Sequence, residues 1–417
     1  MVSHDIACFY LKLPGLTLFR CMMLPETTRK HLISTVSLFL ANGFVMGTWA
    51  VLIPAFAAKL GLGNGQLGTV LLGFSGGGIL AMTMTPTWVR RAGALSSARL
   101  AGVLFAAGLL LPVLAPSWQW AIVGGLAFGA AGGSMDVAMN AYAVEFEQRS
   151  GSAVLSRMHA CFSIGAVGGS LLGGWVLAQL HEVVLAAFSL VLVALAGLTP
   201  SLVAPSSSLE GATQTATAAA QKVRRLPPMW LVPLAVVAFC CLVGEGAMID
   251  WTAKLMHEFG ASPFVASAVY ACFAGGMALG RLAGDSLLER LGERVLLLGG
   301  CMLAAVGVLS VLWSGAVILA LPALLVAGLG VANVIPVVFR RASVGDGASG
   351  LAFVTVCGYG GLLSGPPMIA GVAEWVGLRL ALLIVVAGFA VATGASALAL
   401  GKRRPKLATA IVPNVEQ

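Results

Sequence analysis

Charged residues are scarce in this chain. Asp, Glu, Lys and Arg make up 10% of its 417 residues, whereas an average soluble domain contains about 25%. The eight cysteines show no C-x-x-C spacing and the five histidines are scattered over predicted loops and segment ends, so the sequence indicates no metal site, no redox site and no cofactor. No glycine-rich phosphate loop follows a strand, which argues against direct use of ATP. The composition therefore argues against an enzyme.

Long apolar segments are abundant instead. Hydrophobic residues make up 59% of the chain, and about 20 apolar residues are enough for an α-helix to cross a bilayer. The sequence predicts an all-α membrane protein with twelve transmembrane helices in two pseudo-symmetric bundles of six. The predicted segments are 32–57, 66–88, 96–115, 118–143, 159–180, 183–203, 230–252, 263–284, 295–314, 316–339, 351–375 and 378–400.

The same pattern divides the chain into five regions. The first 31 residues do not resemble a signal peptide, and we also consider a true start at Met22 or Met23. The polar stretch between the bundles is rich in Ser, Thr and Ala, which predicts a flexible linker. The regions are a cytoplasmic N-terminal segment (1–31), a first bundle (32–203), a cytoplasmic linker (204–229), a second bundle (230–400) and a cytoplasmic tail (401–417).

The positive charges predict the orientation. Twenty of the 24 Lys and Arg residues fall in the termini, the linker and the loops of one face. Loops rich in Lys and Arg stay in the cytoplasm, so we expect both termini to be cytoplasmic in a bacterial inner membrane. The net charge of +8 is then explained by topology, and we expect no nucleic-acid partner.

The loop after the eighth segment combines charges and glycines over residues 280–294. Asp285, Glu289, Arg290, Gly292 and Arg294 resemble the signature loop of the major facilitator superfamily. The corresponding loop after the second segment departs from that pattern, with Arg90 where an acidic residue is usual. Arg side chains in such loops can reach carboxylates or the ends of neighbouring helices and so gate the cytoplasmic face. The predicted gate residues are Arg90, Arg91, Arg157, His159, Asp285, Glu289, Arg290 and Arg294.

Four stretches resemble the bacterial MosC- and YbjJ-like branch of that superfamily: residues 136–140, 156–159, 245–251 and 280–285. The resemblance to the superfamily extends over 32–400. It implies a transporter of a small molecule whose two halves rock to expose a central site to each face in turn. MosC-like and fucose-permease-like relatives suggest a sugar-like or amino-polyol solute.

Asp136 and Glu245 are acidic residues inside predicted membrane segments. A charge near the bilayer centre costs about 3 kcal/mol or more, so both residues point to function. Glu245 is the first candidate for a coupling proton, because no basic residue lies on its own helix at that depth. Asp136 is the second candidate; alternatively it forms an inner-gate ion pair with Arg90, Arg91 or Arg157.

Asp250 is a third acidic residue in a membrane segment, and it precedes Trp251. Because Trp favours the membrane–water boundary, we expect this pair at the outer rim, as an anchor or as a station on a proton path. His159 is either a pH-sensitive group or a hydrogen-bonded interfacial histidine.

Neutral side chains complete the predicted site. Asn140 lies one helical turn from Asp136 and can hydrogen-bond beside it. Asn333 occupies the corresponding place in the second half, and Trp49 and Tyr359 either stack on a sugar ring or simply pack. The candidates for substrate or proton binding are Asp136, Asn140, Glu245, Asp250, Asn333, Asn42, Trp49 and Tyr359.

The sequence as a whole predicts a secondary transporter of a sugar-like or polyol-like solute, driven by protons. An uncoupled facilitator and a drug or metabolite efflux pump are the alternatives within transport. A membrane sensor or scaffold that moves no solute is the alternative outside it. We expect a monomer whose partners are a small solute, protons and the lipid bilayer.

Overall fold

The structure is a computed structural model that describes residues 25–151, 154–205 and 228–401, except the side chains of 345, 346 and 348. The considered start at Met22 or Met23, most of the linker and the tail lie outside the described residues. Within these described ranges, twelve helices are long and apolar enough to cross a membrane, which confirms the predicted number. They are α1 (Glu26–Leu60), α2 (Asn64–Ala92), α3 (Ala94–Leu114), α4 (Trp118–Ser150), α5 (Leu155–Leu180), α6 (Val183–Val203), α7 (Val232–Glu258), α8 (Pro263–Leu282), α9 (Gly284–Ser314), α10 (Val317–Val344), α11 (Ser349–Val376) and α12 (Leu378–Gly401).

Glycines allow pairs of helices to approach closely within each half. A Cβ atom on Gly43 of α1 would lie 1.8 Å from the backbone oxygen of Phe162 on α5, and one on Gly129 of α4 would lie 1.8 Å from that of Phe74 on α2. No side chain fits at such distances, so these glycines serve packing, as small residues do between membrane helices. The second half repeats both contacts, at Gly361 against Phe239 (α11 and α7) and at Gly276 against Leu325 (α8 and α10).

Three interruptions shape the second half. Gly292 has a φ of 77°, which separates a short polar helical stretch beginning at Gly284 from the apolar part of α9. Gly347 has a φ of 62° and lies at the turn between α10 and α11. Both values are in the left-handed region that glycine adopts without strain. Asn333 interrupts α10 between Val331 and Val334.

The two halves meet along two seams. At the first, α5 packs against α8, where the Ser170 hydroxyl donates to the backbone oxygen of Ser267 at 2.7 Å. At the second, α2 packs against α11, where the Gly65 backbone N–H donates to Glu374. A Cβ on Gly68 of α2 would lie 2.1 Å from the Cβ of Ala370 on α11. The predicted acidic residues lie on α4 and α7, which belong to neither of these seams.

Candidate functional site

Asp136 joins the two halves through a hydrogen bond to α11. It lies 18 residues after Trp118 and 14 before Ser150, near the middle of α4. The Tyr359 hydroxyl on α11 donates to Asp136 Oδ2 at 3.4 Å. Asn140 Nδ2, one turn along α4, donates to the other carboxylate oxygen at 3.2 Å and to the Asp136 backbone oxygen at 2.8 Å. The hydrogen bonds described for this carboxylate therefore come from neutral groups, and one of them crosses between the halves.

Glu245 lies at the centre of α7 and has a cationic partner. Arg281 Nη2 on α8 lies 3.3 Å from Glu245 Oε1. Arg281 Nη1 donates to the Ser163 hydroxyl on α5 at 2.9 Å. The Arg281 and Glu245 side chains are 12% and 19% exposed, and Ser163 is buried. One guanidinium thus contacts a carboxylate in its own half and a hydroxyl in the other.

Arg281 is a functional residue that the sequence reasoning missed. The sequence places it near the cytoplasmic end of α8, well away from Glu245 at the middle of α7. Side chains on a helix tilt towards its N-terminus, and α8 runs from the predicted outer face to the inner face. The long Arg281 side chain therefore reaches back towards the membrane centre. The only available signal was an arginine three residues before the end of the predicted apolar segment 263–284.

Two tyrosines lie within electrostatic range of the acidic residues. Tyr359, which donates to Asp136, is also close enough to Glu245 to sense its charge. Tyr270 on α8 lies within electrostatic range of Glu245, Asp250 and Arg281. Phenolic hydroxyls both donate and accept hydrogen bonds. The acidic residues of α4 and α7 therefore belong to one polar region between the halves.

The burial of Asp250 and Trp251 argues against the interfacial anchor that the sequence suggested. Asp250 is 9% exposed and Trp251 is completely buried. Asp250 lies eight residues before Glu258, or about 12 Å along the helix, and both side chains are inside the bundle. Trp251 contributes to the core and does not act as an interfacial anchor.

Asn333 and Asn42 make contacts that hold helices together. Asn333 Nδ2 donates to the Gly280 backbone oxygen at 2.8 Å and so connects the break in α10 to the end of α8. Asn42 Nδ2 on α1 lies 3.2 Å from the Met139 sulfur on α4. Both asparagines are buried. Asn333 is one of the predicted candidates for substrate or proton binding, and the structure places it in an interhelical hydrogen bond.

Trp49 lies inside an aromatic cluster of the first half. It is completely buried, and its ring centroid is 5.4 Å from that of Phe128, 5.8 Å from Phe56 and 6.4 Å from Phe74. Neither face of the indole is open to a sugar ring. Its contacts are those of a core residue, so the site we describe below omits it.

The predicted gate residues do not form one cluster. Arg90 donates to Thr87 on its own helix, and Arg90, Arg91 and Arg157 are exposed. None of the described ion pairs or hydrogen bonds joins them to Asp136, so the alternative of an inner-gate ion pair receives no support. The loop residues Asp285, Glu289, Arg290 and Arg294 are likewise exposed.

A neighbouring acidic residue forms the ion pairs expected of that loop. Glu293 contacts Arg340 at 2.7 Å and Arg341 at 2.5 Å, and Arg341 also donates to the Ala399 backbone oxygen at 3.2 Å. These bonds join α9, α10 and α12 within the second half.

His159 lies at the inner part of the α5–α8 seam. Its ring packs edge-on against Phe39 at 5.5 Å, and it lies within electrostatic range of Arg281. The Ser163 hydroxyl, which accepts from Arg281, donates to the His159 backbone oxygen at 3.2 Å. His159 is therefore next to the Arg281 contact, on the side of the other half.

The fold and this central polar region are those of a multi-pass membrane transporter. The Major Facilitator Superfamily model matches residues 35–344. An uncharacterized MFS-type transporter of Yersinia pestis is 32% identical over 358 residues, which cover 84% of this chain and 90% of that protein. The membrane protein MosC of Rhizobium meliloti is 30% identical over 355 residues, covering 84% and 85%. The chain belongs to the Major Facilitator Superfamily, and the resemblance to MosC is confirmed.

Solved structures agree on the fold. A variant of the nucleoside transporter NupG superposes with a TM-score of 0.67 at 12% identity, covering 88% of this chain and 99% of that one. At such low sequence identity, the similarity shows only that the two proteins share a fold. The roles of individual residues must therefore be argued from the contacts in this structure.

Proposed function

We propose that this chain is a secondary active transporter that moves a small polar solute by alternating access and is driven by protons. The observation that carries the proposal is the hydrogen bond from Tyr359 to Asp136. It joins the two halves, whose interface must open and close around a central site during transport. A carboxylate at that place can change its charge and its partner in the same step.

The surroundings of the two central carboxylates reverse the order that the sequence suggested. An opposite charge nearby favours the ionised form of a carboxyl group, and Glu245 has Arg281 at 3.3 Å. The described partners of Asp136 are the neutral side chains of Tyr359 and Asn140. We therefore assign proton binding to Asp136 first and give Glu245 the role of holding Arg281.

The polar groups of the site favour a solute rich in hydroxyl groups. Asp136, Asn140 and Tyr359 combine carboxylate, amide and phenol groups, which together donate and accept hydrogen bonds. Ser163 and Arg281 add further polar groups on the opposite side of the region. A sugar or polyol can satisfy both kinds of group, so it remains the proposed solute.

The membrane orientation is part of the proposal. The arginines of the α2–α3, α4–α5, α8–α9 and α10–α11 connections are concentrated on one face, which the positive-inside rule places in the cytoplasm. We propose a monomer in a bacterial inner membrane, with both termini cytoplasmic and with bundles at 32–203 and 230–400. The exposed charges of the α2–α3 and α8–α9 loops would then surround the cytoplasmic opening.

The test begins with finding the solute. Purified protein is screened by thermal shift against sugars, polyols, amino-polyols, amino acids and drugs at two pH values, because a ligand that binds the folded state raises its stability. The hit is then used for uptake into proteoliposomes with and without an imposed pH gradient. We expect accumulation that depends on the gradient in the wild-type protein and is lost in Asp136→Asn.

The matched control is Glu182→Gln, which neutralises an exposed acidic residue between α5 and α6 and should leave accumulation unchanged. Downhill flux that ignores the pH gradient would indicate an uncoupled facilitator. Binding confined to bulky amphipathic drugs would indicate an efflux pump. Ligand binding without any flux would overturn transport in favour of a sensor.

A further inference from the structure

Arg281 touches the opposite half at two levels. Its guanidinium donates to the Ser163 hydroxyl at 2.9 Å, and its backbone oxygen accepts from the Ser156 hydroxyl at 3.3 Å. Ser156 and Ser163 are seven residues apart, which is about two helical turns, so they lie on the same face of α5. Arg281 is therefore placed on the line where α5 and α8 meet.

The position of the guanidinium depends on Glu245. An arginine fork is planar and rigid, so binding one partner fixes the direction of the remaining N–H groups. The Glu245 carboxylate holds Nη2 at 3.3 Å, and this orients Nη1 towards Ser163. Hydrogen bonds between charged groups are roughly twice as strong as neutral ones. Loss of the negative charge on Glu245 would therefore loosen the contact across the seam as well.

Other titratable groups face this fork. His159 on α5 and Tyr270 on α8 lie within electrostatic range of Arg281, and Tyr359 on α11 lies within range of Glu245. A protonated His159 would repel the guanidinium. A change of pH alone therefore mixes several effects, and the role of Glu245 has to be tested by substitution at constant pH.

We propose that Arg281 is a positioning residue that couples the charge on Glu245 to the closure of the α5–α8 seam. With Glu245 charged, Arg281 reaches across to Ser163 and holds the halves together there. With Glu245 neutral, the fork is free to turn away and the seam loosens. This inference rests on the proposed function in one respect, namely that the two halves separate during transport.

The experiment measures backbone hydrogen exchange in detergent-solubilised protein at one neutral pH, and it requires no solute. Ser163→Ala removes the acceptor on α5 and should speed exchange in peptides from the inner part of α5 and α8 by about ten-fold. In the Glu245→Gln background the same substitution should have less than about a third of that effect, since the neutral amide holds the fork weakly. An equal factor in both backgrounds overturns the inference.

A control on the same seam separates coupling from general loosening. Ser170→Ala removes the hydrogen bond to Ser267, away from Arg281, and should speed local exchange by the same factor with Glu or Gln at position 245. If Glu245→Gln does not fold, Arg281→Lys serves instead. A lysine is shorter and lacks the rigid planar fork that fixes the direction of the second N–H, so Ser163→Ala should have little further effect in that background, and an undiminished effect contradicts the proposal.

Different experiments test the role of Arg281 and the proposed transport function, so one can be overturned without the other. Absence of flux from wild-type proteoliposomes would end the proposed function and leave the exchange result standing as a property of the fold. Additive exchange effects would end the role of Arg281 and leave proton-driven transport through Asp136 intact.

Discussion

The two central carboxylates have opposite surroundings. Asp136 in the first half is held by a phenol and an amide, whereas Glu245 in the second half faces a guanidinium. Breaking a buried ion pair by removing one partner leaves a charge without compensation. Removing a neutral hydrogen bond costs far less. The comparison shows that the second half holds its acidic residue in an ion pair, while the described partners of the acidic residue in the first half are neutral.

The largest expected effect comes from breaking the ion pair on one side. Arg281→Ala should lower the free energy of unfolding by about 3–5 kcal/mol, because Glu245 is left charged among apolar helices. The double variant Arg281→Leu with Glu245→Leu should recover most of that loss, since no charge remains. Unfolding of both proteins in detergent measures the difference. A double variant as unstable as the single one would show that the two side chains do not act as a pair.

The next effect separates stability from transport. Asp136→Asn should leave the free energy of unfolding within about 1–2 kcal/mol of the wild type, because its partners are neutral. The same substitution should reduce pH-driven accumulation of the solute at least about ten-fold. Calorimetry and proteoliposome uptake on one preparation measure both quantities. Glu245→Gln losing accumulation while Asp136→Asn retains it would return proton binding to Glu245.

The sequence predicts more of the fold than of the site. The twelve apolar segments and the acidic residues within them can be recognised directly from the linear sequence. The contact between Arg281 and Glu245 depends on α7, α8 and α5 lying side by side and on the direction of one long side chain. The hydrophobic pattern predicts neither which helices are neighbours nor where a long side chain points. Asp136 and Glu245 were therefore found from sequence, and the Arg281 bridge was not.

The same reasoning explains the other differences. Tryptophan is frequent at membrane boundaries, which made Trp251 look like an anchor, but its burial is set by neighbouring helices. Trp49 belongs to an aromatic cluster assembled from α1, α2 and α4, which no local pattern predicts. Composition thus identifies the helices, while packing decides which polar residues meet.

A smaller effect is expected from the bond between Asp136 and the other half. Tyr359→Phe removes the hydroxyl that donates to Asp136 and keeps the ring. A single neutral hydrogen bond is worth about 1 kcal/mol, so uptake should fall about five-fold with pH coupling retained. Initial rates at several pH values measure this. Complete loss of coupling would mean that the hydroxyl is required for proton movement and is more than a tie between the halves.

The smallest effect is expected at Glu374, an acidic residue outside the central region. It is exposed and accepts from the Gly65 backbone N–H in the first turn of α2. A negative charge at a helix N-terminus contributes about 0.3–1 kcal/mol when it is exposed. Glu374→Ala should therefore speed hydrogen exchange at the start of α2 about two- to five-fold, without changing the pH dependence of uptake. A change in that pH dependence would show that the charge of Glu374, at the seam between α2 and α11, also controls transport. The contrast between the central acidic residues and those at the surface would then no longer hold.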